Sequence, residues 1–588
     1  MSDPTSILKP WSLSVSARGE NRLDVEIAPS SLVSAVTEIK RARWGYLSAI
    51  TGRDCTEADG GGSDGAVSAA APAPLEILYH FSQGADVLTL RTKVPREGAS
   101  IPSVCAVLPS AILQERELAE TFGIRVIDIP QDERLLLSDD WPDGLYPMRK
   151  EHTSEKLREV VTGLTASASG AAAATAPSAV PLDVPRWKPG PAKPVEEKPG
   201  RFVIPIGPQH PALKEPAHFE LVVDGEVVTD ATLRLGYVHR GIEKAAESQT
   251  WVQNLYLMER ICGICSHIHA TAYALGVEKL AGITAPPRAQ AIRLIFAEME
   301  RLHSHLLWLG VAAHQAGYDT LFMFSWRDRE TIMDLLDALS GNRVNYSANL
   351  VGGVKYDIEP KQADGIRRGL DFIEPRLQHY LKIVTTDESF LRRTRGVGIF
   401  PKEQAEIMGV VGPTARASGV RRDLRVDAPY LGYREFPIVP VFDDACDLAA
   451  RFVVRIKELF ESCRIIRSAL DRLPAGDLTV GVPRRIPEGE AISRVEAPRG
   501  ELFYYLRSTG GAKPDRVKVR TPSLANWAYV LGVAVGHRLA DIPMIVVGID
   551  PCFSCNDRMI RVRRAGEERT MSWEDLRQYG IRFYGGNP

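Results

Sequence analysis

Four cysteines stand in two Cys-x-x-Cys turns, in Glu259-Arg260-Ile-Cys262-Gly-Ile-Cys265-Ser-His267-Ile-His269 and in Asp550-Pro551-Cys552-Phe-Ser-Cys555-Asn-Asp-Arg558. One such turn lets two thiolates converge on a metal, and two turns can supply four soft ligands to one site. Spacing alone leaves three alternatives open: a structural zinc site, a thioredoxin-like dithiol, or unrelated core cysteines. Zinc ribbons usually keep their pairs close, whereas here residues 266–551 intervene. Neither pair sits in an obvious compact redox domain. The remaining cysteines, Cys55, Cys105, Cys446 and Cys463, are scattered, and eight in 588 residues do not make a disulfide scaffold.

The elements that must position these turns belong to an α+β chain of two modules. Residues 1–160 read as a small α/β domain, with strands at 75–81 and 86–92 about a turn at Gln83-Gly84. The Gly-, Ser-, Ala- and Pro-rich stretch 59–74 reads as a loop. Residues 161–200 are an Ala- and Pro-rich linker whose composition cannot offset its ordering entropy by burial. From 201 the chain reads as mainly helical. Ile292, Ile295, Phe296, Met299, Leu302, Leu306 and Leu309 fall at helical spacing in 288–309, and a second long helix is expected over 444–473, stopped by Pro474. No internal repeat is evident. The apolar fraction of 44% and the net charge of −2 give no reason to expect a nucleic-acid partner. Apolar stretches such as 528–535 fall far short of the ~20 residues that cross a bilayer, and the N-terminus lacks a secretory pattern. Any membrane link is therefore expected through partner subunits.

The flanks narrow the choice. Arg-x-Cys-Gly-x-Cys-x-x-x-His together with Asp-Pro-Cys-x-x-Cys resembles the nickel–iron hydrogenase large subunits over most of 201–588. Gly207-Pro-Gln-His-Pro211, Arg240-Gly-Ile-Glu243, Glu300-Arg-Leu-His-Ser-His305 and Gly352-Gly353-Val354 are similar to the 49 kDa subunit of respiratory complex I. Arg116-Glu117-Leu-Ala-Glu120-Thr-Phe122-Gly123-Ile124 and Leu136-Leu-Ser-Asp-Asp140-Trp141 resemble its 30 kDa subunit. A fusion of both modules that keeps both cysteine pairs resembles the group 4 large subunits of formate hydrogenlyase and hydrogenase-4. The division this implies is a 30 kDa-like domain at 1–160, the linker at 161–200, a catalytic domain at 201–558 and a C-terminal extension at 559–588.

The resemblance implies a nickel–iron centre whose iron carries CO and CN ligands. All four thiolates would bind nickel, with Cys265 and Cys555 bridging to iron, while the terminal Cys262 and Cys552 can take up a proton. Arg499, after Pro498, matches an arginine suspended over the metals, with Asp550 holding it by a charge-assisted pair. Ser523 would donate a hydrogen bond to a cyanide, and His269 would steady a cysteine sulfur. Glu215 resembles a glutamate that passes protons outward, and Glu243 is either a second relay, a ligand of a magnesium-type ion, or a solvated charge. His267 and His210 read as structural, or as remnants of a quinone-site region. Cleavage between Arg558 and Met559 by a maturation endopeptidase would remove the extension. The implied partners are an iron–sulfur small subunit holding a [4Fe-4S] cluster, a ferredoxin-like subunit, membrane antiporter-like subunits and, where formate is the donor, a formate dehydrogenase. The implied place is cytoplasmic, on the inner face of the plasma membrane. Two other functions compete. An NADH–quinone oxidoreductase subunit would need no nickel, but it normally lacks the cysteine pairs and carries a His-Gly run where Ala-Leu-Lys214-Glu215 stands here. A structural scaffold would hold zinc.

Overall fold

The computed structural model describes residues 3–19, 21–56, 72–137, 141–153, 156–157, 159, 200–210 and 213–554, and the backbone of 561–564 and 567–570. Residues 161–199 of the expected linker, and Cys555, Arg558 and Met559, lie outside the described residues.

The N-terminal module is one five-stranded sheet. β1 (Ser12–Ala17), β2 (Arg22–Ile27), β3 (Tyr46–Asp54), β4 (Leu75–Gln83) and β5 (Asp86–Val94) lie in the order β1-β2-β5-β4-β3. Only the β2–β5 pair is parallel. β4 and β5 form the expected hairpin, with Gln83 opposite Asp86 and Gly84 at φ +57° in the two-residue turn. One face of the sheet is covered by α1 (Leu32–Arg41) and α2 (Ile112–Phe122). Leu32, Ala35, Val36 and Ile39 make the buried stripe of α1. The other face meets the second module.

That module opens with the antiparallel strands β6 (Arg201–Ile206), β7 (His218–Asp224) and β8 (Val227–Arg234). Its helices follow: α3 (Ile242–Ser248), α4 (Trp251–Glu259), α5 (Ser266–Ala281), α6 (Pro287–Gln315), α7 (Asp319–Ser340), α8 (Pro360–Thr386) and α9 (Leu448–Asp471). α6 is buried on nearly every side and forms the spine of the largest core, against α7, α8 and α9. The second long helix begins at Leu448 rather than at 444. Cys446 sits in the left-handed region at φ +64°, and Asp447 caps the helix by accepting from the Ala450 amide at 2.9 Å.

A second antiparallel sheet, β9 (Gly489–Ala497), β10 (Gly500–Ser508) and β11 (Arg516–Arg520), interrupts the helical region, followed by α10 (Pro522–Ala534) and α11 (Ile542–Gly548). This sheet is where the modules join. Ala49, Leu78 and Val87 pack against Ile492, Phe503 and Tyr505, and His80 lies with its ring centroid 5.1 Å from that of Phe503. Around this apolar contact, Glu490 of β9 accepts from Arg22 at 2.8 Å and from Arg91 at 2.9 and 3.0 Å. The N-terminal module therefore braces the hairpin whose turn carries Pro498 and Arg499.

Candidate metal centre

The first cysteine turn links α4 to α5. Thr250 and Gln253 form a capping box that fixes the start of α4, and Cys265 is the N-cap of α5. The amides of His267 and Ile268 in the first turn of α5 donate to Glu300 of α6 at 2.7 and 3.1 Å. A buried carboxylate thus satisfies donors that a helix start leaves open. Burial drives the Glu300 pKa well upward against those two amides. Cys262 Sγ accepts from the amides of Ile264 and Cys265, both at 3.3 Å.

The second turn follows α11. Asp550 adopts φ +54°, a conformation usually given to glycine after a helix, and Pro551 then prevents the helix from resuming. Aspartate is among the few residues besides glycine that adopt this region, and here it places a carboxylate inside the protein. The Cys552 amide donates to Ser523 Oγ of α10 at 3.2 Å. Arg240 ties the two turns together, donating to the Arg260 carbonyl at 2.7 Å and to the Ser554 carbonyl at 3.0 Å.

These contacts bring Cys262 Sγ within 3.4 Å of Cys552 Sγ, although 290 positions separate them in the chain. Two thiolates on one metal at ~2.3 Å would lie about 3.3–3.8 Å apart. Cys262, Cys265 and Cys552 are all 2% exposed. The soft, buried donor set therefore fits a thiolate-held metal centre. Among the described residues no cluster of three His, Cys, Asp or Glu is disposed to hold a metal ion by itself, and Cys555 is not one of those residues.

Arg499 projects from the two-residue turn of the β9–β10 hairpin, where Ala497 pairs with Gly500. Gly412 presses on this turn: a Cβ there would lie 2.4 Å from the Arg499 carbonyl oxygen, so only glycine fits. Arg499 Nε donates to the Asp550 carbonyl at 2.7 Å, Nη2 to Asp550 Oδ1 at 3.0 Å, and Nη1 approaches Ser304 Oγ of α6 at 3.4 Å. Burial alone would lower the Arg499 pKa. The Asp550 carboxylate and the thiolates of Cys552, Cys265 and Cys262 reverse this and hold it well above the ordinary value. Lys214 Nζ donates to the same Asp550 oxygen at 3.1 Å.

The other sequence candidates divide. Glu215 reaches the second cysteine turn, accepting from the Phe553 and Ser554 amides at 2.6 and 2.9 Å and from the Ser554 hydroxyl. Burial raises its pKa, with the Cys262 thiolate adding to that and the two amides opposing. His269 is buried and bonded through Nδ1 to the Tyr504 hydroxyl at 2.8 Å, and burial pulls its pKa down to about 4. His267 bonds Nε2 to the Arg293 carbonyl at 3.0 Å and packs with Phe296, as a structural histidine does. Glu243 is not a solvated charge. Its oxygens are engaged by Arg516 at 2.7 Å, Lys518 at 3.5 Å and the Val519 amide at 3.0 Å, and Lys518 also binds Glu117 of the N-terminal module. Burial works to raise the Glu243 pKa, but Lys518 and Arg516 outweigh it and lower it. Lys214, Ser304, Arg240 and Tyr504 were not singled out for the centre from sequence. Arg240 and Ser304 fall within the motifs shared with the 49 kDa subunit and Lys214 stands beside the candidate Glu215, whereas Tyr504 carries no such signal.

Comparison with known proteins gives the same two-module layout. Residues 25–157 match the family described as respiratory-chain NADH dehydrogenase, 30 Kd subunit, and 315–485 and 478–558 match its 49 Kd subunit. Residues 240–311 match nickel-dependent hydrogenase. Formate hydrogenlyase subunit 5 of Escherichia coli is 37% identical over 84% of this chain and 83% of its own. The chain belongs to the formate hydrogenlyase and hydrogenase-4 family of large subunits. Hydrogenase-4 component G of E. coli is 34% identical over 86% of this chain and 85% of its own. Membrane-bound hydrogenase subunit alpha of Pyrococcus furiosus is 40% identical over 64% and 92%. The family's fold extends to the membrane-bound sulfane sulfur reductase, an archaeal respiratory membrane complex, at 33% identity and a TM-score of 0.59 over 62% of this chain and 100% of that one. Among the described residues no helix is long and apolar enough to cross a membrane.

Proposed function

We propose that the chain is the catalytic large subunit of a membrane-associated nickel–iron hydrogenase complex of the formate hydrogenlyase or hydrogenase-4 type, interconverting protons and H₂. The observation that carries this is the convergence of Cys262 and Cys552 beneath a buried Arg499–Asp550 pair. Cys262, Cys265, Cys552 and Cys555 would hold nickel and iron, the iron carrying CO and CN. The metals supply the two-electron chemistry when bound. Electrons would enter from a [4Fe-4S] cluster on an iron–sulfur partner, since this chain has no further cysteine cluster among its described residues. Attachment to the inner face of the membrane would be peripheral, through further subunits of the kinds named above.

Within this chain, the hairpin turn at Pro498 and Arg499 aims a permanent cation at the thiolates, and Asp550 fixes its orientation. Water is excluded by the burial of Cys262, Cys265 and Cys552, of Arg499 and of Asp550. Ser523 orients Cys552 by accepting from its amide, and its hydroxyl would donate a hydrogen bond to a cyanide ligand of the iron. Glu215, with its pKa raised and its carboxyl bonded to the second cysteine turn, would take a proton from the centre and pass it outward. His269 buttresses the first turn from α5. The maturation step is cleavage between Arg558 and Met559. Glu243 belongs to the joint between the modules: both its oxygens are already engaged by cations, which favours an ion-pair role over a relay or a magnesium-type ligand.

The test is metal content and H₂ evolution of the purified complex with a low-potential reductant. Nickel with iron and H₂ supports the proposal. Zinc alone would indicate a scaffold, and no metal an NADH–quinone oxidoreductase-like subunit.

A further inference from the structure

We propose that Lys214 is a positioning residue of this centre, a second cation that holds the Asp550 carboxylate in place beside Arg499. The inference rests on the hydrogenase reading above and deepens it. Its ground is a shared acceptor: Lys214 Nζ at 3.1 Å and Arg499 Nη2 at 3.0 Å both donate to Asp550 Oδ1. The Lys214 side chain is 19% exposed and that of Asp550 is 0% exposed. Lysines near a surface normally extend the ammonium into water. This one is turned inward, onto a carboxylate that Arg499 already neutralises.

The charges do not cancel within the group. Asp550 faces Arg499, Lys214 and Arg455, three cations against one carboxylate. The excess positive charge lies beside the thiolates of Cys552, Cys262 and Cys265, which is where it is compensated. Lys214 and its neighbour Glu215 also grip the second cysteine turn on both flanks. Lys214 binds Asp550, two residues before Cys552, and Glu215 binds the Phe553 and Ser554 amides just after it. One short bend thereby fixes the direction of Cys552 and the Nη2 partner of Arg499 together. The Asp550 backbone carbonyl already holds Arg499 Nε, and a carboxylate pinned by Lys214 also fixes the partner of Nη2.

Removing the ammonium has two expected consequences. Asp550 gains freedom to rotate, so Arg499 keeps the Asp550 carbonyl but loses the fixed partner of its Nη2. The field at the thiolates also becomes less positive, which raises electron density on metals bound there and lowers the stretching frequencies of their diatomic ligands. The experiment compares the purified complex carrying wild-type, Lys214→Met or Lys214→Arg subunit. Nickel and iron content, the infrared bands of the metal-bound CO and CN, and kcat for H₂ evolution are measured on each. The expected result for K214M is retained metal, bands at lower wavenumber, and a kcat lowered roughly ten- to a hundredfold, the worth of one charge-assisted hydrogen bond. K214R should restore most of both. Unchanged bands and kcat in metal-loaded K214M would overturn the proposal, as would a K214R protein as impaired as K214M. Should K214M fail to load metal, K214R decides: wild-type-like bands support the proposal, and an equally empty protein refutes it. A wild-type complex without nickel, iron and these bands would instead sink the hydrogenase reading, so the two failures are distinguishable.

Discussion

Arg499→Lys separates charge from geometry at the centre. The substitution keeps a cation on the hairpin turn and removes the planar fork. Arg499 makes two well-formed contacts, to the Asp550 carbonyl at 2.7 Å and to Asp550 Oδ1 at 3.0 Å, and a weaker one to Ser304 at 3.4 Å. A single ammonium can replace one of the strong pair. Losing the other, inside a pocket where both residues are at most 1% exposed, costs about 1.5–3 kcal/mol. The Ser304 contact lies at the limit of a hydrogen bond and adds little. At about 1.36 kcal/mol per decade of rate, H₂ evolution should fall roughly ten- to a hundredfold. The assay is turnover per bound nickel with a low-potential reductant, so that loss of metal is not mistaken for loss of placement. A lysine variant with full nickel and full turnover would refute the claim that the fork matters.

Cys262→Ser or Cys552→Ser should abolish both nickel retention and H₂ activity, and activity retained in either variant would contradict the ligand assignment. Intact mass of active protein should lack residues 559–588, and a full-length active chain would exclude the cleavage step. Glu490 should make the module joint sensitive to acid. Burial raises its pKa, but Arg91 and Arg22 outweigh this and depress it strongly. Its contribution is therefore complete above the unfolded glutamate pKa of about 4.3 and is lost as pH falls through the lower folded value. Glu490→Gln should cost about 3 kcal/mol near neutral pH, by leaving buried arginines under-paired, and flatten the acid side of a thermal-stability profile. A variant that loses stability toward acid as steeply as wild type would exclude Glu490 as the source.

Residue types and spacing made only the two cysteine pairs of the centre legible, with their role left open, and the rest was hidden for physical reasons. The two Cys-x-x-Cys turns announce themselves locally, and the apolar spacing of 288–309 marks α6 even though its ends run on to Pro287 and Gln315. The pairing of Arg499 with Asp550 could be anticipated only through resemblance, because 51 positions separate them. The β9–β10 hairpin was not anticipated. β10 is buried at nearly every position, so it lacks the period-two alternation that reveals a strand with one wet face. The sequence leaves the role of Glu243 open among a relay, a magnesium-type ligand and a solvated charge, because its partners, Arg516 and Lys518, come from a strand remote in sequence. Lys214 shows the same limit: a lone lysine carries no signal of a carboxylate 336 positions away.

The most direct measurement is the metal content of the purified, active complex, taken together with its H₂ evolution. The account predicts nickel and iron in equal amount on this subunit, both lost in Cys262→Ser, with H₂ formed from a low-potential reductant. A complex that carries zinc or no metal at these cysteines, and evolves no H₂, would contradict it.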